Sequence, residues 1–385
     1  MTFTSELEDN ILRFWLERMP DETHGGYYGK TDGQNRLIPE ANKGLILTAR
    51  LLWTFSSAYR ILKKEACLQA AHRAFDYLVS RFYDTENKGF YWELDFRGNV
   101  VNAKKQTYAQ GFAIYGLSEY YRVTRNRQAL ELVKETFEIL EAHADKTFGG
   151  YFEAFSKDWK PIEDMRLSDK DFNEKKSMNT HLHVLEAYTN LLRVWEDQAL
   201  KAAHRNLIGV FRNHIIEGDS FQLFFEEDWT LKSEAVSFGH DIEGSWLLYE
   251  AALVTGNESL ITQVKDLSLK MAEKALEGLL PDGSMAYEKL HGHVDMERHW
   301  WVQAEAVVGY MYAWKNSGDA RYRLAAEKTW AYIRENMVDT ENGEWYWSRL
   351  PDGSVNTQED KAGFWKCPYH NGRMCLEMIA YFGLN

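Results

Sequence analysis

Three histidines are the residues of this chain best suited to proton chemistry. His183 lies four residues after Asn179, and His240 lies three residues before Glu243. His370 stands near the start of the last apolar segment. Spacings of three and four place both members of a pair on one helical face. An imidazole has an unperturbed pKa of about 6.5, so it takes and gives protons near neutral pH. The pattern indicates acid–base chemistry where these helix starts meet.

Further polar and aromatic residues stand near the starts of other apolar segments. They are Arg50, Tyr108, Trp301 with Glu305 at the fourth residue beyond it, and Trp365. Arg50 offers a permanent positive charge and planar donors. Helix N-termini add unpaired N–H groups and partial positive charge. If these helix starts meet at one end of the fold, the site that they form is predicted to stabilise an oxyanion.

A sixfold internal repeat predicts how these residues are positioned. An aromatic segment and a turn signal recur about every sixty residues, which is typical of hairpins. The aromatic segments start at Gly25, Lys88, Gly149, Leu223, Ser284 and Glu344, and the turns are Asp32-Gly33, Arg97-Gly98, Asp158-Trp159, Asp228-Trp229, His291-Gly292 and Asp352-Gly353.

Segments with helical periodicity lie between the hairpins. The predicted helices cover residues 5–18, 42–63, 65–82, 105–124, 127–144, 178–197, 199–214, 237–255, 258–277, 299–316, 319–336 and 366–382.

The helices alternate in character along the chain. Those that follow a hairpin are apolar nearly all round and should be buried, whereas their partners are amphipathic and should lie outside. We therefore expect an all-α fold, an (α/α)6 barrel of about twelve helices with short β-hairpins in the loops at one face, forming a single domain over residues 1–385. A linear solenoid is the alternative, but its terminal repeats should be polar caps, and the last helix is as apolar as the middle ones.

Composition limits the classes of partner. The formal net charge of −13 argues against nucleic-acid backbones and anionic membranes, which require basic patches. Aromatic residues make up 14% of the chain, with 14 Trp and 21 Tyr. Aromatic faces stack on the apolar faces of sugar rings. Carbohydrate is therefore the ligand class that this composition favours. We expect a small-molecule substrate and a monomer or weak homodimer.

Three cysteines, Cys67, Cys367 and Cys375, form neither a paired framework nor a C-x-x-C motif. The N-terminal residues lack a basic region followed by an apolar one, and no apolar run approaches the length of a bilayer. We therefore expect a cytoplasmic location.

Other chemistries must be weighed against proton transfer. Three histidines beside Glu243 could bind a metal, but no H-E-x-x-H motif occurs, and His181 and His183 point to opposite sides of one helix. We interpret His181 as a hydrogen-bonded structural residue. A glycoside hydrolase would use two carboxylates from Asp241, Glu243 and Glu305, yet it has no evident use for three histidines. A carbohydrate-binding protein without activity is the alternative from another class.

Two expectations concern the fifth repeat. His291, His293 and His299 lie in or just after the fifth hairpin, and we expect them at the surface. Trp300 and Trp301 are adjacent, so only one should face the barrel lumen, and its spacing from Glu305 selects Trp301.

Five motifs resemble cellobiose 2-epimerases within the N-acylglucosamine 2-epimerase superfamily, and the resemblance spans the whole chain. The motifs are Gly44-Leu45-Ile46-Leu47-Thr48-Ala49-Arg50-Leu51-Leu52-Trp53, Met178-Asn179-Thr180-His181-Leu182-His183, Gly239-His240-Asp241-Ile242-Glu243, Trp300-Trp301-Val302-Gln303-Ala304-Glu305 and Lys366-Cys367-Pro368-Tyr369-His370-Asn371-Gly372-Arg373-Met374-Cys375.

This resemblance implies an (α/α)6 barrel and epimerisation at C2 of the reducing-end sugar of β-1,4-linked disaccharides such as cellobiose, lactose and mannobiose. It implies that His240 and His370 are the acid/base pair and that no metal or organic cofactor is needed. The reacting end would be held by Arg50, Tyr108, Asn179, His183 and Glu243, and the sugar subsites would be shaped by Trp246, Trp301, Glu305 and Trp365.

The chemistry can also be argued from the residues. Inverting C2 of an aldose requires ring opening, loss of the proton next to the carbonyl, and its return on the opposite face. Arg50, Asn179 and the helix N-termini are suited to stabilising the enediolate, and one such donor is typically worth about 3 kcal/mol. Glu243 could orient His240 or bind a hydroxyl. N-acylglucosamine 2-epimerase and an aldose–ketose isomerase acting on mannose use the same protonation chemistry and remain alternatives.

Overall fold

The computed structural model describes residues 2–168 and 171–385. Within them the α-helices are α1 (Phe3–Ser5), α2 (Arg13–Glu17), α3 (Leu45–Leu62), α4 (Glu65–Tyr77), α5 (Thr107–Thr124), α6 (Arg127–Ala142), α7 (Met178–Leu192), α8 (Gln198–Val210), α9 (Phe238–Val254), α10 (Glu258–Ala275), α11 (Trp300–Ser317), α12 (Ala320–Tyr332) and α13 (His370–Ala380). A π-helical stretch, Glu6–Leu12, joins α1 to α2, and similar stretches or a 3₁₀ turn extend α4, α8, α10 and α12: Leu78–Phe82, Phe211–Ile215, Leu276–Gly278 and Ile333–Met337.

Six inner helices form a closed ring. Helix α3 packs on α5, α5 on α7, α7 on α9, α9 on α11, α11 on α13, and α13 back on α3. The inner helices are buried nearly all round, as in α3 from Leu45 to Ala58, whereas outer helices such as α6 bury one stripe from Ala129 to Leu140. The predicted (α/α)6 barrel is confirmed.

Two predicted helix boundaries were wrong. The helix predicted over 178–197 ends at Leu192, and Asp197 caps α8 instead by accepting the Leu200 N–H at 3.0 Å. The last helix begins at His370, not at residue 366. Pro368 explains the late start, because a proline disfavours helical backbone at the residue before it.

The strands are short. They are β1 (Lys43–Gly44), β2 (Glu93–Leu94), β3 (Val100–Asn102), β4 (Lys105–Gln106), β5 (Ala154–Phe155), β6 (Lys176–Ser177), β7 (Ile216–Glu217), β8 (Ser220–Phe221), β9 (Phe224–Phe225), β10 (Val236–Ser237), β11 (Glu288–Leu290), β12 (His293–Asp295), β13 (Arg298–His299) and β14 (Ser348–Arg349).

All six predicted turns join antiparallel pairs. β2 pairs with β3 and β11 with β12, and single bridges join residues 31 and 37, 155 and 161, 225 and 231, and 349 and 355. The structure adds pairing between repeats: the strand entering an inner helix pairs with the next hairpin, as β1 does with β2 and β13 with β14. Thr31 bridges Ala362 and closes this ring of strands. Every hairpin therefore lies at the end where the inner helices start.

Buried lysine–aspartate pairs hold several strands in place. Lys43 contacts Asp21 at 2.6 Å, and Lys105 contacts Asp84 at 2.9 Å. Lys176–Asp145 and Lys361–Asp339 repeat the arrangement. In each pair the lysine lies before an inner helix and the aspartate lies after an outer one, so the pair fixes where the inner helix starts.

The first helical segment joins the last repeat through polar contacts. The Trp15 indole donates to Glu344 Oε2 at 2.8 Å, and Lys366 and Asn371 donate to Glu344 Oε1 at 3.2 and 2.5 Å. Both ends of the chain are thereby fastened to each other. No helix among the described residues is long and apolar enough to span a bilayer.

Candidate active site

A cavity of about 410 Å³ opens at the end of the barrel where the inner helices start. Its lining includes nine of the eleven predicted site residues: Arg50, Tyr108, Asn179, His183, His240, Glu243, Trp301, Trp365 and His370. Residues more than 300 positions apart in the chain therefore share one chamber, because each inner helix contributes its first turns.

The other two predicted residues, Trp246 and Glu305, are buried and do not line this cavity. Glu305 Oε1 lies 2.7 Å from His370 Nδ1. The Trp246 indole N–H donates to Glu305 Oε2 at 3.0 Å. Trp246 and Glu305 are thus linked to His370 by hydrogen bonds, and their role in shaping the sugar subsites stays a prediction.

His240 is positioned by the start of α9. Its Nδ1 lies 2.8 Å from Ser237 Oγ, the residue that caps the helix. Its ring centroid lies 4.7 Å from that of Trp301, and His370 lies 5.7 Å from the same indole ring. Both imidazoles therefore lie beside the same tryptophan. Gly239 permits this approach, because a Cβ there would lie 2.7 Å from the Trp301 ring.

His183 has a carboxylate partner that the sequence reasoning missed. His183 Nδ1 lies 2.9 Å from Glu186 Oε2, one turn further along α7. Its ring meets the Tyr108 ring edge to face at 5.0 Å between centroids. Glu186 also accepts the Tyr369 hydroxyl at 2.6 Å. The three-residue spacing of His183 and Glu186 was a visible signal for this pair.

Arg373 was also missed, and it lies among the buried carboxylates. It donates to Glu243 Oε1 at 2.7 Å, to Glu305 Oε1 at 2.6 Å, and to Glu186. Its position three residues after His370 was the available signal. A guanidinium can serve several carboxylates at once because its five N–H donors are fixed in a plane.

Glu243 was expected to orient His240 or to bind a hydroxyl; its Oε1 accepts from Arg373 at 2.7 Å, and its binding of a hydroxyl stays a prediction. Burial raises the pKa of Glu243 to about 8, and the neighbouring Glu305 charge adds to the shift; burial also raises the pKa of Glu305, but hydrogen bonds from Arg373 and Trp246 oppose that rise. Glu305 Oε2 accepts an indole N–H and its Oε1 accepts a guanidinium N–H, so Glu305 is the ionised member of the pair. Glu243 then holds the proton, and its Oε2 has no hydrogen-bond partner.

Ligand atoms of Glu243, Glu305 and His370 lie within 4.8 Å of one another, a spacing that a metal could use. The Arg373 guanidinium already donates to both carboxylates in this cluster. A second cation there would compete with a buried positive charge, so these donors are a poor fit for a metal.

Arg50 supplies positive charge to the cavity without a carboxylate contact among the described residues. It donates to the Tyr108 hydroxyl at 2.6 Å and to the Trp365 carbonyl at 3.3 Å. Its guanidinium carbon lies 4.2 and 4.6 Å from the ring centroids of Phe112 and Tyr369. Because Arg50 makes no ion pair with a carboxylate in the described part of the chain, it is suited to stabilising negative charge on a ligand.

Several lining side chains carry buried polar atoms with no partner in the described part of the chain. They are Arg50 Nε, Asn179 Oδ1, Glu243 Oε2, Trp300 Nε1 and Trp347 Nε1. Leaving such groups unpaired costs about 1–3 kcal/mol each. A ligand with many hydroxyls would satisfy donors and acceptors of this kind.

The cavity walls are richer in aromatic rings than predicted. Trp300 and Trp301 both line the cavity, so the expectation that only one does was wrong. His299 also lines it, stacked on Tyr287 at 4.0 Å, and is no simple surface group. Trp347 completes the wall and was missed. His291 and His293 are exposed as expected.

His181 has the structural role that we expected. Its Nδ1 lies 2.7 Å from the Ser177 carbonyl, and its Nε2 accepts the Tyr151 N–H at 2.9 Å. Asp241 likewise points away from the cavity, accepting the Ser220 hydroxyl at 2.5 Å and the Phe221 N–H at 2.7 Å. Of the three acids considered for a glycoside hydrolase, Asp241, Glu243 and Glu305, only Glu243 lines the cavity, so these acids do not supply its pair of carboxylates.

The electrostatic surroundings keep the cavity histidines neutral. Burial lowers the pKa of His183, His240 and His370 below the usual range for imidazole. For His370, the charges of Arg50 and Arg373 lower it further. Neutral imidazoles have a free lone pair, so the site holds bases that are ready at neutral pH.

Comparisons with known proteins identify similar chains. A family model described as N-acylglucosamine 2-epimerase (GlcNAc 2-epimerase) matches residues 26–372. A cellobiose 2-epimerase of Bacteroides fragilis is 51% identical over 97% of both chains, and one of Dictyoglomus turgidum is 40% identical over 97% of this chain and 96% of its own. The solved structure of a cellobiose 2-epimerase from Bacillus thermoamylovorans superposes with a TM-score of 0.94 at 43% identity, covering 98% of both chains.

Proposed function

The chain belongs to the N-acylglucosamine 2-epimerase family, and we propose that it is a cellobiose 2-epimerase. It inverts C2 of the reducing-end sugar of β-1,4-linked disaccharides, converting a glucose residue to mannose or the reverse. The observation that carries this function is that His240 and His370 line one cavity, with ring centroids 4.7 and 5.7 Å from the same indole ring, Trp301.

The reaction begins when the reducing-end ring opens to an aldehyde. A neutral imidazole then takes the C2 proton, and the electron pair of the C2–H bond moves toward C1, which places negative charge on O1. The second imidazole, once it has taken a proton from solvent, returns that proton to the opposite face of C2, and the first imidazolium releases its proton to solvent, so both rings end neutral. Two bases within reach of one carbon are what inversion requires, and each such proton transfer contributes about 10²–10⁴-fold.

The enediolate is the species that the cavity must stabilise. Arg50, which makes no ion pair with a described carboxylate, supplies positive charge, and it donates a hydrogen bond to the Tyr108 hydroxyl. Asn179 is the second residue of α7, and its side-chain amide lines the same cavity. His183, held by Glu186, and Glu243, which carries a proton, offer hydrogen bonds to sugar hydroxyls.

The aromatic wall supports a disaccharide as substrate. Trp301 and Trp365 line the cavity with Trp300 and Trp347, and such faces stack on the apolar faces of sugar rings. The volume of about 410 Å³ lies within the range of sites for small molecules, roughly 300–1,000 Å³.

The test is to incubate the protein with cellobiose in D₂O and to follow C2 by NMR. We expect glucosyl-mannose that carries deuterium at C2. Cellobiose that keeps its C2 proton and yields no glucosyl-mannose would refute the proposal. Parallel incubations with N-acetylglucosamine and with mannose test the two alternatives within the family, and ketose as the main product would identify an isomerase.

His240→Ala separates an enzyme from a protein that only binds sugar. Turnover should be lost, while affinity for cellobiose should stay within about tenfold, because the aromatic wall and Arg50 remain. Turnover that survives would show that His240 is not a catalytic base.

We further propose that residues 1–385 act as one catalytic domain, because the cavity draws its lining from residue 50 to residue 370. The three cysteines are buried and free of disulfides. Because the cytosol is a reducing compartment that keeps thiols in this state, they support a cytoplasmic location. A monomer or weak homodimer is expected, and light scattering of the purified chain tests this.

A further inference from the structure

Ser237 has two contacts with the same residue. It is the N-cap of α9, and its Oγ accepts the backbone N–H of His240 at 3.4 Å. The same oxygen lies 2.8 Å from Nδ1 of the His240 ring. The cap therefore contacts both the backbone and the ring of His240, and that ring is a proposed catalytic base.

The direction of the second hydrogen bond follows from the donors available. Ser237 Oγ already accepts one N–H, and its hydroxyl proton requires an acceptor. Among the described residues, Nδ1 of His240 is the only acceptor within hydrogen-bond distance of this hydroxyl. Nδ1 then holds a lone pair, and the proton of the neutral ring lies on Nε2.

His370 is held in the opposite way. Both oxygens of Glu305 face obligate donors, the Arg373 guanidinium at 2.6 Å and the Trp246 indole at 3.0 Å. A carboxylate in that setting accepts from Nδ1 of His370, which lies 2.7 Å from Oε1. The proton of neutral His370 therefore lies on Nδ1, and its Nε2 carries the lone pair.

We infer that Ser237 is a positioning residue that sets the tautomer of His240, so that the resting site presents an imidazole N–H from His240 and an imidazole lone pair from His370. Proximity to the N-terminus of α9 supports a neutral His240, because the helix dipole disfavours imidazolium there. Burial also lowers the pKa of His240.

This arrangement would give the two bases different tasks at the start of the reaction; that consequence alone rests on the proposed function. The lone pair of His370 is ready to accept a proton from carbon, and the N–H of His240 is ready to donate a hydrogen bond to a sugar oxygen. The Ser237 hydroxyl can rotate and accept from Nδ1 once His240 becomes protonated. Ionised Glu305, the partner of His370, can only accept a hydrogen bond.

The tautomers can be read from ¹⁵N NMR of the full chain labelled at histidine, without sugar. Signals are assigned by comparison with His240→Gln and His370→Gln. We expect His240 to show an unprotonated Nδ1 and a protonated Nε2, and His370 to show the reverse. A His240 ring that carries its proton on Nδ1 would overturn the inference.

Variants then test whether Ser237 is the cause. Ser237→Ala should leave the His240 tautomers mixed and lower kcat about 10–100-fold with KM within about threefold. Ser237→Thr keeps the hydroxyl and should restore both the spectrum and kcat; Ser237 borders a second cavity of about 280 Å³ that has space for the methyl group.

Ser177→Ala is the matched control, because Ser177 caps α7 by accepting the Thr180 N–H at 3.1 Å, and its hydroxyl does not contact a catalytic ring. Ser177→Ala should lower the free energy of unfolding about as much as Ser237→Ala does. It should leave the His240 spectrum unchanged and kcat within about twofold of wild type. An unchanged His240 spectrum in Ser237→Ala would refute the inference. If no sugar exchanges at C2 while the predicted tautomers are observed, the proposed function fails and this inference stands.

Discussion

His370 and Arg373 donate to the same oxygen. His370 Nδ1 and Arg373 Nη2 lie 2.7 and 2.6 Å from Glu305 Oε1. One carboxylate therefore orients a proposed catalytic base and anchors the cation at the centre of the buried network. Because Arg373 also contacts Glu186, which holds His183, two of the three imidazoles are positioned through a single guanidinium.

Glu305→Gln tests the orienting role of this carboxylate. The amide can still accept a hydrogen bond, but it cannot stabilise an imidazolium, so kcat should fall about 10²–10³-fold while KM changes little. Steady-state kinetics on cellobiose measures both. Glu327→Gln is the control, since Glu327 is an exposed partner of Arg323. Equal kcat in Glu305→Gln and wild type would contradict the role.

Arg373→Met should lower the free energy of unfolding by about 3–5 kcal/mol, because it leaves buried carboxylates without their cation. Arg373→Lys keeps the charge but cannot serve three carboxylates at once, so it should recover only part of the loss. Thermal and urea unfolding measure the effect. Arg323→Lys, at an exposed position, should stay within about 0.5 kcal/mol of wild type; a similarly small effect at position 373 would show that the network does not stabilise the fold.

Asp241 makes stability depend on pH. Burial raises the pKa of its carboxyl to about 7, well above the usual range for aspartate. The folded state therefore keeps a proton that the unfolded state loses, and the contribution of Asp241 to stability falls as pH rises from about 4 to 7. Asp241→Asn removes this contribution, so its melting temperature should fall less than that of wild type between pH 5 and pH 8. Parallel pH curves for the two proteins would contradict the shift.

Trp347→Phe tests the aromatic wall. The indole N–H of Trp347 has no partner among residues 2–168 and 171–385, so we expect it to donate to the substrate. Its loss should raise KM for cellobiose about 3–10-fold, as for one hydrogen bond of roughly 0.5–1.5 kcal/mol, with kcat nearly unchanged. Trp314→Phe serves as control, because Trp314 lies at the other end of α11, beside Arg323. If both substitutions leave KM unchanged, Trp347 does not bind sugar.

EDTA should leave the activity intact. The cluster of Glu243, Glu305 and His370 already contains the Arg373 cation, which makes a catalytic metal there electrostatically unfavourable. The measurement is the rate of C2 deuterium exchange before and after dialysis against EDTA. Loss of exchange that a divalent ion restores would overturn this expectation.

The sequence by itself determined the barrel and most of the cavity. Helical periodicity and the sixfold hairpin repeat are local properties, and they identified the inner helices and the end at which they all start. That placed His183, His240, His370 and Arg50 in one chamber. The motif resemblance assigned roles to these residues but could not show their partners.

Only the tertiary structure decided which charged group meets which imidazole. His370 pairs with Glu305, 65 residues away, and Glu243 contacts Arg373, 130 residues away. These pairings depend on how neighbouring helices are rotated and on where long side chains reach, which no local spacing encodes. Arg373 and Glu186 look like ordinary helix residues in the sequence, and burial at the barrel centre is what turns them into the network that positions the bases.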